Sequence, residues 1–386
     1  MGAGVGGLAV TILLSRRGHN VKLMERFVEP RPIGSGLLLQ PAGLVALERL
    51  GLREVITALG HRIDRLHGLT DTGRTIFDLH YGGLGATTHG VAVHRAALHA
   101  VLWETFRQTN VPFLAGREVR SAADPMLADA DLIVDASGAR SMLREFVTDR
   151  PPRPFPYGAV WATVPDAGIG PATLAQRYAG AKVMLGYLPA GRMAVGQAPM
   201  AALFWSLRND RYEAWRGGFD AWREEARTLW PALAPVLAGL TGPDEFTHAT
   251  YQHFSTYRPW RDRLVLIGDS AHATSPQLGQ GANQALIDAV VLTDALAAAP
   301  DLKTAFERYA HARRAHVRFY QQASWAMTRF FQSDSATLPW IRDLVFDPMR
   351  RIPWLHREML RTLAGLKTGP FRTATPDEIV NRLANP

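Results

Sequence analysis

A short apolar strand that ends at a glycine and an aspartate constrains the fold of this chain more than any other feature. The strand is predicted over residues 264–267 and ends at the dipeptide Gly268-Asp269. A loop with Pro276, Gly279 and Gly281 follows and leads into an apolar helix. The backbone amides of such a loop and the positive end of the helix stabilise negative charge. The block therefore predicts a strand–loop–helix unit of an α/β fold that binds an anionic group.

A second glycine motif lies at the start of the chain, where Gly2, Gly4 and Gly7 form the pattern G-x-G-x-x-G. These glycines suit a tight turn, close approach of the backbone to a pyrophosphate, and close helix packing. Glu25 ends the next predicted strand, where a carboxylate can accept hydrogen bonds from a ribose. Taken alone, the pattern also fits a glycine-rich turn that binds no ligand. It normally follows a buried strand, whereas here only Met1 precedes it.

Composition excludes several other classes of protein. An apolar content of 47% in 386 residues is enough for substantial buried cores, which excludes a disordered or small disulfide-stapled chain. The absence of cysteine excludes disulfides, thiolate catalysis and a redox-active cysteine pair. The net charge is +8, but the basic residues are scattered, so we predict no nucleic-acid partner. The 13 histidines form no ligand pattern, so we predict no metal site.

The middle of the chain differs from its two ends in the pattern of its apolar residues. Three segments with alternating apolar residues predict strands of an antiparallel sheet: Tyr157 to Val164, Lys182 to Leu188 and Ala201 to Leu207. One helix is predicted near residues 219–230. These elements predict a second lobe. The early apolar run over residues 8–14 is too short to span a bilayer and its arginines follow it, so we predict a soluble, cytoplasmic protein.

Taken together, the two glycine motifs resemble those of the single-component FAD monooxygenases of group A, the para-hydroxybenzoate hydroxylase and salicylate hydroxylase type. The resemblance runs over most of the chain, and the block at residues 268–289 is its most specific part. It implies an enzyme with FAD as cofactor and NADH or NADPH as electron donor. Such an enzyme uses O2 to hydroxylate a small aromatic or heteroaromatic substrate through a C4a-hydroperoxyflavin.

The family motifs transfer onto particular residues of this chain. Asp269 matches the aspartate that holds the ribityl chain of FAD, and Arg95 matches an arginine near the phosphates. The resemblance implies FAD contacts at further positions along the two glycine motifs: Gly2, Gly4, Gly7, Glu25, Pro276, Gly279, Gly281, Ala282 and Asn283. A third family motif appears at residues 135–144 with Ser137 in place of its usual aspartate. The resemblance associates this motif with both FAD and NAD(P)H, so the serine bears on the predicted nicotinamide site more than on the flavin site.

The resemblance implies an α/β fold with a discontinuous, Rossmann-like FAD-binding lobe, an antiparallel β-sheet substrate lobe and C-terminal helices. The predicted domains are an FAD-binding domain (residues 1–60, 91–150 and 257–330), a substrate domain (61–90 and 151–256) and a C-terminal helical cap (331–386). The absent first strand would open the sheet beside the cofactor phosphates. Either the chain start has been assigned downstream of the true one, or this chain binds FAD poorly. We prefer the first explanation.

Substrate contacts are predicted on the antiparallel sheet, where Tyr178, Tyr187, Gln197 and His253 could meet a phenol or a carboxylate. Packing or surface hydrogen bonding is the alternative role for each of them. No catalytic acid or base can be named. We predict O2 and a small aromatic molecule as partners, no membrane partner, and a monomer or a homodimer.

Three other functions are alternatives to hydroxylation. A flavin-dependent halogenase is disfavoured because its W-x-W-x-I-P motif is absent, the nearest match being residues 161–165. An FAD-dependent reductase or dehydrogenase of the geranylgeranyl reductase kind stays an alternative. The third is a cofactor-poor, non-catalytic member of the fold, which only the absent strand supports.

Overall fold

A computed structural model describes residues 1–29 and 34–384 of the chain. Residues 30–33 and 385–386 belong to the predicted FAD-binding domain and helical cap and lie outside the described residues. The described helices are α1 (Val5–Arg16), α2 (Pro41–Arg49), α3 (Arg53–Leu59), α4 (Arg95–Arg107), α5 (Arg144–Val147), α6 (Tyr212–Gly217), α7 (Phe219–Leu229), α8 (Ala234–Ala238), α9 (Asp269–His272), α10 (Gly281–Ala298), α11 (Leu302–Phe331), α12 (Thr337–Arg351), α13 (Pro353–Leu363) and α14 (Pro376–Val380).

The described strands are mostly short. They are β1 (Leu23–Met24), β2 (Gly36–Leu39), β3 (His61–Ile63), β4 (Arg65–Thr70), β5 (Thr75–His80), β6 (Gly90–His94), β7 (Phe113–Leu114), β8 (Ile133–Asp135), β9 (Arg153–Pro154), β10 (Tyr157–Pro165), β11 (Thr173–Ala179), β12 (Val183–Gly191), β13 (Met200–Arg208), β14 (Thr247–Ala249), β15 (Gln252–His253), β16 (Trp260–Arg261), β17 (Leu264–Leu266), β18 (Lys367–Gly369) and β19 (Arg372–Thr373).

A seven-stranded sheet in the order β14-β10-β13-β12-β11-β4-β5 dominates the second lobe. Its neighbours are antiparallel except for the parallel pair β11 and β4. One face packs on α7, where Trp205 of the sheet meets Phe219 and Trp222 in one buried cluster. The other face packs on α12 and α13 through a second cluster that includes Phe77, Phe331 and Leu360. The sheet is therefore covered on both faces, by different helices.

The first lobe is an α/β layer assembled from distant parts of the chain. Strand β17 pairs in parallel with β8, and β1 pairs in parallel with β7. Helices α1 and α10 pack against each other beside these strands, and their apolar side chains share one buried cluster with α2, α4 and α11. The lobe is discontinuous in sequence because the second lobe is inserted at two places, with β4 and β5 between β3 and β6, and β10 to β14 between β8 and β17.

The two parallel strand pairs are separate sheets that meet at the first two residues of the chain. The terminal amine of Met1 donates to the carbonyl of Val134 at 2.8 Å, and the amide of Ala136 donates to the carbonyl of Met1 at 2.9 Å. On the other side, the amide of Gly2 donates to the carbonyl of Met24 at 2.8 Å. No further strand lies between β1 and β8 in the part of the chain that the structure describes.

The predicted fold class is confirmed, with an α/β layer, a large sheet in a second lobe and C-terminal helices. The large sheet is mixed, because β11 and β4 run parallel. No helix among residues 1–29 and 34–384 is long and apolar enough to cross a bilayer. The same residues contain no group of three or more side chains suited to hold a metal ion.

Candidate active site

The glycine loop before α1 packs tightly against the end of β8. Gly2 has a φ of +90°, and a Cβ atom on it would collide with the backbone of Ala136. A Cβ atom on Gly7 would overlap the carbonyl oxygen of Gly2. Gly4 differs from both, because a Cβ atom there would meet no protein atom within 4 Å. The close packing of the loop explains why positions 2 and 7 are glycine. Gly4 instead leaves the backbone at the N-terminus of α1 accessible to a ligand.

Glu25 lies at the end of β1, and its carboxylate is held by the glycine loop. One carboxylate oxygen accepts the amide of Ala3 at 2.7 Å, and the other accepts the amide of Phe27 at 3.1 Å. The side chain is buried. A carboxylate oxygen can accept more than one hydrogen bond, so both oxygens keep the capacity to accept a ligand hydroxyl.

Asp269 begins α9 directly after β17, at the wall of a large cavity. Solvent reaches the Asp269 side chain from the cavity. The protein that surrounds the residue partly desolvates its carboxyl group, and this desolvation raises the pKa of that group. Arg144 fixes the backbone here by donating to the carbonyls of Ser270 at 3.0 Å and Asp269 at 3.1 Å. The carboxyl group is therefore aimed into the cavity from a braced backbone.

The cavity of about 670 Å³ lies between the two lobes and gathers most of the predicted contacts of the second glycine motif. Its wall contains six residues that the sequence singled out for FAD: Arg95, Asp269, Pro276, Gly279, Gly281 and Ala282. A Cβ atom on Gly281 would lie 3.8 Å from a carboxylate oxygen of Asp269, so the glycine keeps the space beside that group open.

Arg95 begins α4 and faces the same cavity. Among the described residues, its guanidinium has neither a hydrogen bond nor an acidic partner within ion-pair distance. One turn further along the helix, His99 is joined through its Nε2 to the carbonyl of Ala3 at 2.9 Å. This bond ties α4, whose first residue is Arg95, to the glycine loop. An unpaired guanidinium in this place is suited to bind a phosphate.

Asn283 is placed differently from the other residues of its motif. It is fully buried, and its side-chain oxygen accepts the amide of Gln40 at 2.8 Å. Its side-chain nitrogen donates to the carbonyls of Leu38 and Gly279, each at 3.0 Å. Protein backbone thus engages both ends of the amide. Asn283 braces the loop that forms the cavity wall and is not among the residues that line the cavity.

The four predicted substrate residues do not come together. Tyr178 lines the large cavity, whereas Tyr187 lies on the opposite face of the sheet, where its hydroxyl donates to Asp166 at 2.7 Å. Gln197 is exposed in the turn between β12 and β13. His253 lies beside a second, smaller cavity of about 220 Å³. One predicted position thus faces the large cavity and three do not.

Sequence reasoning missed several polar groups of the cavity. Trp161 donates its indole N–H to the hydroxyl of Tyr251 at 3.1 Å, and burial raises the pKa of Tyr251 to about 12. Gln176 also faces the cavity and donates to the sulfur of Met184 at 3.3 Å. Strand alternation could have found Gln176, because side chains two residues apart share a face and Tyr178 was already singled out.

A buried charged network behind the cavity was also missed. Asp288 of α10 accepts from the amide of Gly268 at 2.8 Å, from Arg313 at 2.7 Å, and pairs with His272 at 2.6 Å. Burial raises the pKa of Asp288, but the two side-chain partners outweigh it and hold that pKa well below its usual range. Arg313 also contacts His316 at 3.2 Å. The network connects the strand end at Gly268 to α10 and α11.

In the third motif, Ser137 bonds to the residue that ends the preceding strand. The amide of Ser137 donates to Asp135 at 2.9 Å, and its hydroxyl donates to the same carboxylate oxygen. Ser141 donates to the other oxygen, and Asp135 is fully buried. The serine therefore helps to satisfy a buried carboxylate beside the glycine loop.

Known proteins resemble this chain in sequence and in fold. A family model described as FAD binding domain matches residues 127–324. The chain is 31% identical to 3-amino-4-hydroxybenzoate 2-monooxygenase of Streptomyces cremeus, with 78% of each chain covered. It is 27% identical to 2-heptyl-3-hydroxy-4(1H)-quinolone synthase of Pseudomonas aeruginosa, with 93% of this chain and 95% of that protein covered. The structure of Klebsiella pneumoniae HpxO with FAD and uric acid is similar in fold, with a TM-score of 0.77, 20% identity and 96% of each chain covered.

Proposed function

Because this chain belongs to the group A FAD-dependent aromatic monooxygenases, we propose that the large cavity is where FAD and the aromatic substrate meet. The chain is a FAD-dependent monooxygenase that acts on a small aromatic or heteroaromatic compound. One observation carries the proposal for the site. A single cavity joins the predicted cofactor residues Arg95 and Asp269 to the aromatic and apolar face of the large sheet.

The described residues fit FAD in charge and in shape. Glu25 is suited to bind the adenosine ribose and Arg95 the pyrophosphate, while the open backbone at Gly4 leaves room for the phosphates to approach. Asp269 is suited to accept a ribityl hydroxyl. The loop residues Gly279 to Ala282 and the N-terminus of α10 would lie beside the ring system. When bound, FAD supplies the redox chemistry with NADH or NADPH and O2.

The protein itself contributes orientation and exclusion of water. The Trp161 indole and the Tyr251 hydroxyl form a polar part of the wall near Arg95. The Tyr251 hydroxyl accepts from the indole, so its own proton is suited to bind a polar group of the substrate ring. Helices α12 and α13 cover the cavity on the side away from the sheet through Phe346 and Met359. A dry pocket of this kind protects reactive oxygen chemistry from water. We assign no catalytic acid or base.

We further propose that the enzyme acts in the cytoplasm, where its nicotinamide donor is regenerated, and that it functions as a monomer or a homodimer. The reductase and non-catalytic alternatives are not favoured, because the relatives are monooxygenases.

The test is FAD binding by paired alanine variants, measured by quenching of flavin fluorescence on titration. Asp269→Ala and Arg95→Ala should each weaken FAD binding by about 10- to 100-fold, because each loses a charge-assisted hydrogen bond. The control Asp129→Ala removes an exposed carboxylate, and Arg107→Ala removes an exposed guanidinium at the far end of α4 that pairs with Glu104 at 3.6 Å. Both controls should bind FAD like the unmodified chain.

Equal FAD affinity in all four variants would contradict these assignments. A chain that binds no FAD at all, although it is folded by circular dichroism, would contradict the proposed site as a whole.

A further inference from the structure

The part of the large cavity that lies farthest from Asp269 is almost entirely apolar. It is bounded on one side by the sheet and on the other by the C-terminal half of α11 and by α12 and α13. The side chains that line it are large and hydrocarbon or thioether in character, among them Leu66, Phe77, Met184, Phe331, Phe346 and Met359. We call this region the apolar arm.

The cavity, from its polar end through the apolar arm, is long compared with one aromatic ring. The cavity wall includes Trp161 on β10 and Leu79 on β5, and these strands are separated by β13, β12, β11 and β4. Neighbouring strands lie about 4.8 Å apart, so five spacings correspond to roughly 24 Å. Even after space is allowed for a flavin ring beside Pro276 and Gly279, a substrate of one or two rings would leave the arm unfilled.

The charges of the cavity are unsuited to a carboxylate in the arm. Among the described residues, the wall contains four charged side chains, of which Arg95 and Asp269 lie at the cofactor end. The other two, Glu358 and Lys367, form an ion pair with each other, and Lys367 also donates to the carbonyl of Pro370 at 2.8 Å. Among the described lining residues, no cation of the arm is left unpaired. An anion buried there would lose its hydration without gaining a partner.

A nearby buried arginine does not supply the arm with an unpaired cation either. Arg342 of α12 lies behind the rings of Tyr178 and Phe331 and is fully buried. Its guanidinium pairs with Asp343 at 2.7 Å and donates to the carbonyl of Gly180 at 3.1 Å. It is not among the residues that line the cavity. Besides the Glu358–Lys367 pair and Thr362, the described part of the arm presents the hydroxyl of Tyr178 and the amide of Gln176 as polar groups amid hydrocarbon.

We propose that the substrate is an aromatic or heteroaromatic ring that lacks a carboxylate and carries an apolar chain. The ring lies at the polar end near Trp161 and Tyr251, and the chain extends through the apolar arm across β11 and β4 toward β5. The proposal rests on the proposed function and adds the substrate class to it. Apolar burial then drives binding, since each buried methylene contributes favourably and most of the side chains that line the arm are apolar.

The test uses three phenols that differ in the para substituent: 4-methylphenol, 4-heptylphenol and 4-hydroxybenzoate. Dissociation constants are measured on the FAD-loaded enzyme by equilibrium dialysis, which requires no turnover. We expect 4-heptylphenol to bind at least 100-fold more tightly than 4-methylphenol, because the heptyl chain buries six additional carbons. We expect 4-hydroxybenzoate to bind most weakly of the three.

Two variants on β4 distinguish binding in the apolar arm from nonspecific hydrophobic adsorption to the protein. Leu66→Trp places a large ring in the apolar arm and should reduce the heptyl-to-methyl affinity ratio at least tenfold. Leu69→Trp is the matched control, because Leu69 lies on the opposite face of β4, next to Arg177 of β11. The Leu69→Trp variant should have the same heptyl-to-methyl affinity ratio as the unmodified enzyme. Thermal unfolding is measured for both variants to establish that they are folded.

The proposal is overturned if 4-hydroxybenzoate binds as tightly as 4-heptylphenol, or if the heptyl and methyl compounds bind equally well. It is also overturned if Leu69→Trp lowers the ratio as much as Leu66→Trp does. If Leu66→Trp does not fold, the dissociation constants of the three phenols on the unmodified enzyme still test the proposal. Failure of the proposed function has a different signature, namely no accelerated oxidation of NADH or NADPH by any bound ligand.

Discussion

At the scale of single residues, the cavity wall depends on side chains that never touch its interior. Asn283 joins three backbone segments, at Leu38, Gln40 and Gly279, through one buried amide. The neighbouring helix α2 accommodates it with a glycine, since a Cβ atom on Gly43 would overlap the side-chain oxygen of Asn283. Asn283, which the motif predicts as an FAD contact, thus holds these three backbone segments together through its hydrogen bonds.

Replacing this amide should cost stability. Asn283→Ala leaves one buried N–H and two buried carbonyls without their partner, so we expect a loss of about 3 kcal/mol in the free energy of unfolding. Urea denaturation measures it. The control Asn20→Ala, at an exposed turn, should change the free energy of unfolding by less than about 0.5 kcal/mol. Equal effects of the two substitutions would show that the buried amide contributes nothing specific.

At the scale of elements, a buried network fixes the helices around the strand end at Gly268. His316 of α11 is joined through Nε2 to the carbonyl of Gly365 at 2.8 Å and through Nδ1 to Arg313 at 3.2 Å. A carbonyl requires a proton on Nε2, and a guanidinium requires a lone pair on Nδ1, so the ring is neutral. Burial and Arg313 lower the pKa of His316 to about 3.

This lowered pKa makes the fold sensitive to acid. Between pH 6.5, the ordinary pKa, and about 3, the unfolded chain binds a proton at His316 that the folded chain does not. Stability therefore falls as the pH decreases through this window, by at most about 1.4 kcal/mol per pH unit from this residue. His316→Gln should flatten the dependence of unfolding free energy on pH between 6.5 and 4, whereas the exposed His19→Gln should not. An unchanged slope in His316→Gln would contradict the neutral, buried assignment.

Much of the fold could be predicted at this scale, because its signals are local in sequence. The strand at β17, the glycine-rich loop and the helix α10 follow one another directly, and periodicity indicated β10, β12, β13 and α7. The register of the large sheet could not be predicted, because it depends on pairing between distant strands. That register places Tyr178 toward the cavity and Tyr187 away from it. Arg313 lay in a long helix with no motif, so nothing in the sequence pointed to its role.

At the scale of the whole molecule, the candidate site exists only because the two lobes and the C-terminal helices meet. The α/β layer contributes Arg95 and Asp269, the large sheet contributes Trp161 and Gln176, and α13 closes the cavity with Met359. These parts are far apart in the chain. The reach of the cavity from the cofactor residues to the apolar arm is therefore a property of the assembled fold, which no single motif could have indicated.

If the assembled cavity holds FAD and substrate as proposed, it supports oxygen insertion into an aromatic ring. The most direct test is turnover under ¹⁸O2, with FAD, NADH or NADPH and 4-heptylphenol, followed by mass spectrometry of the product. We expect a hydroxylated phenol that carries one ¹⁸O atom derived from O2. It is contradicted if NADH or NADPH is consumed with all of the O2 recovered as hydrogen peroxide, or if a hydroxylated product forms without the label.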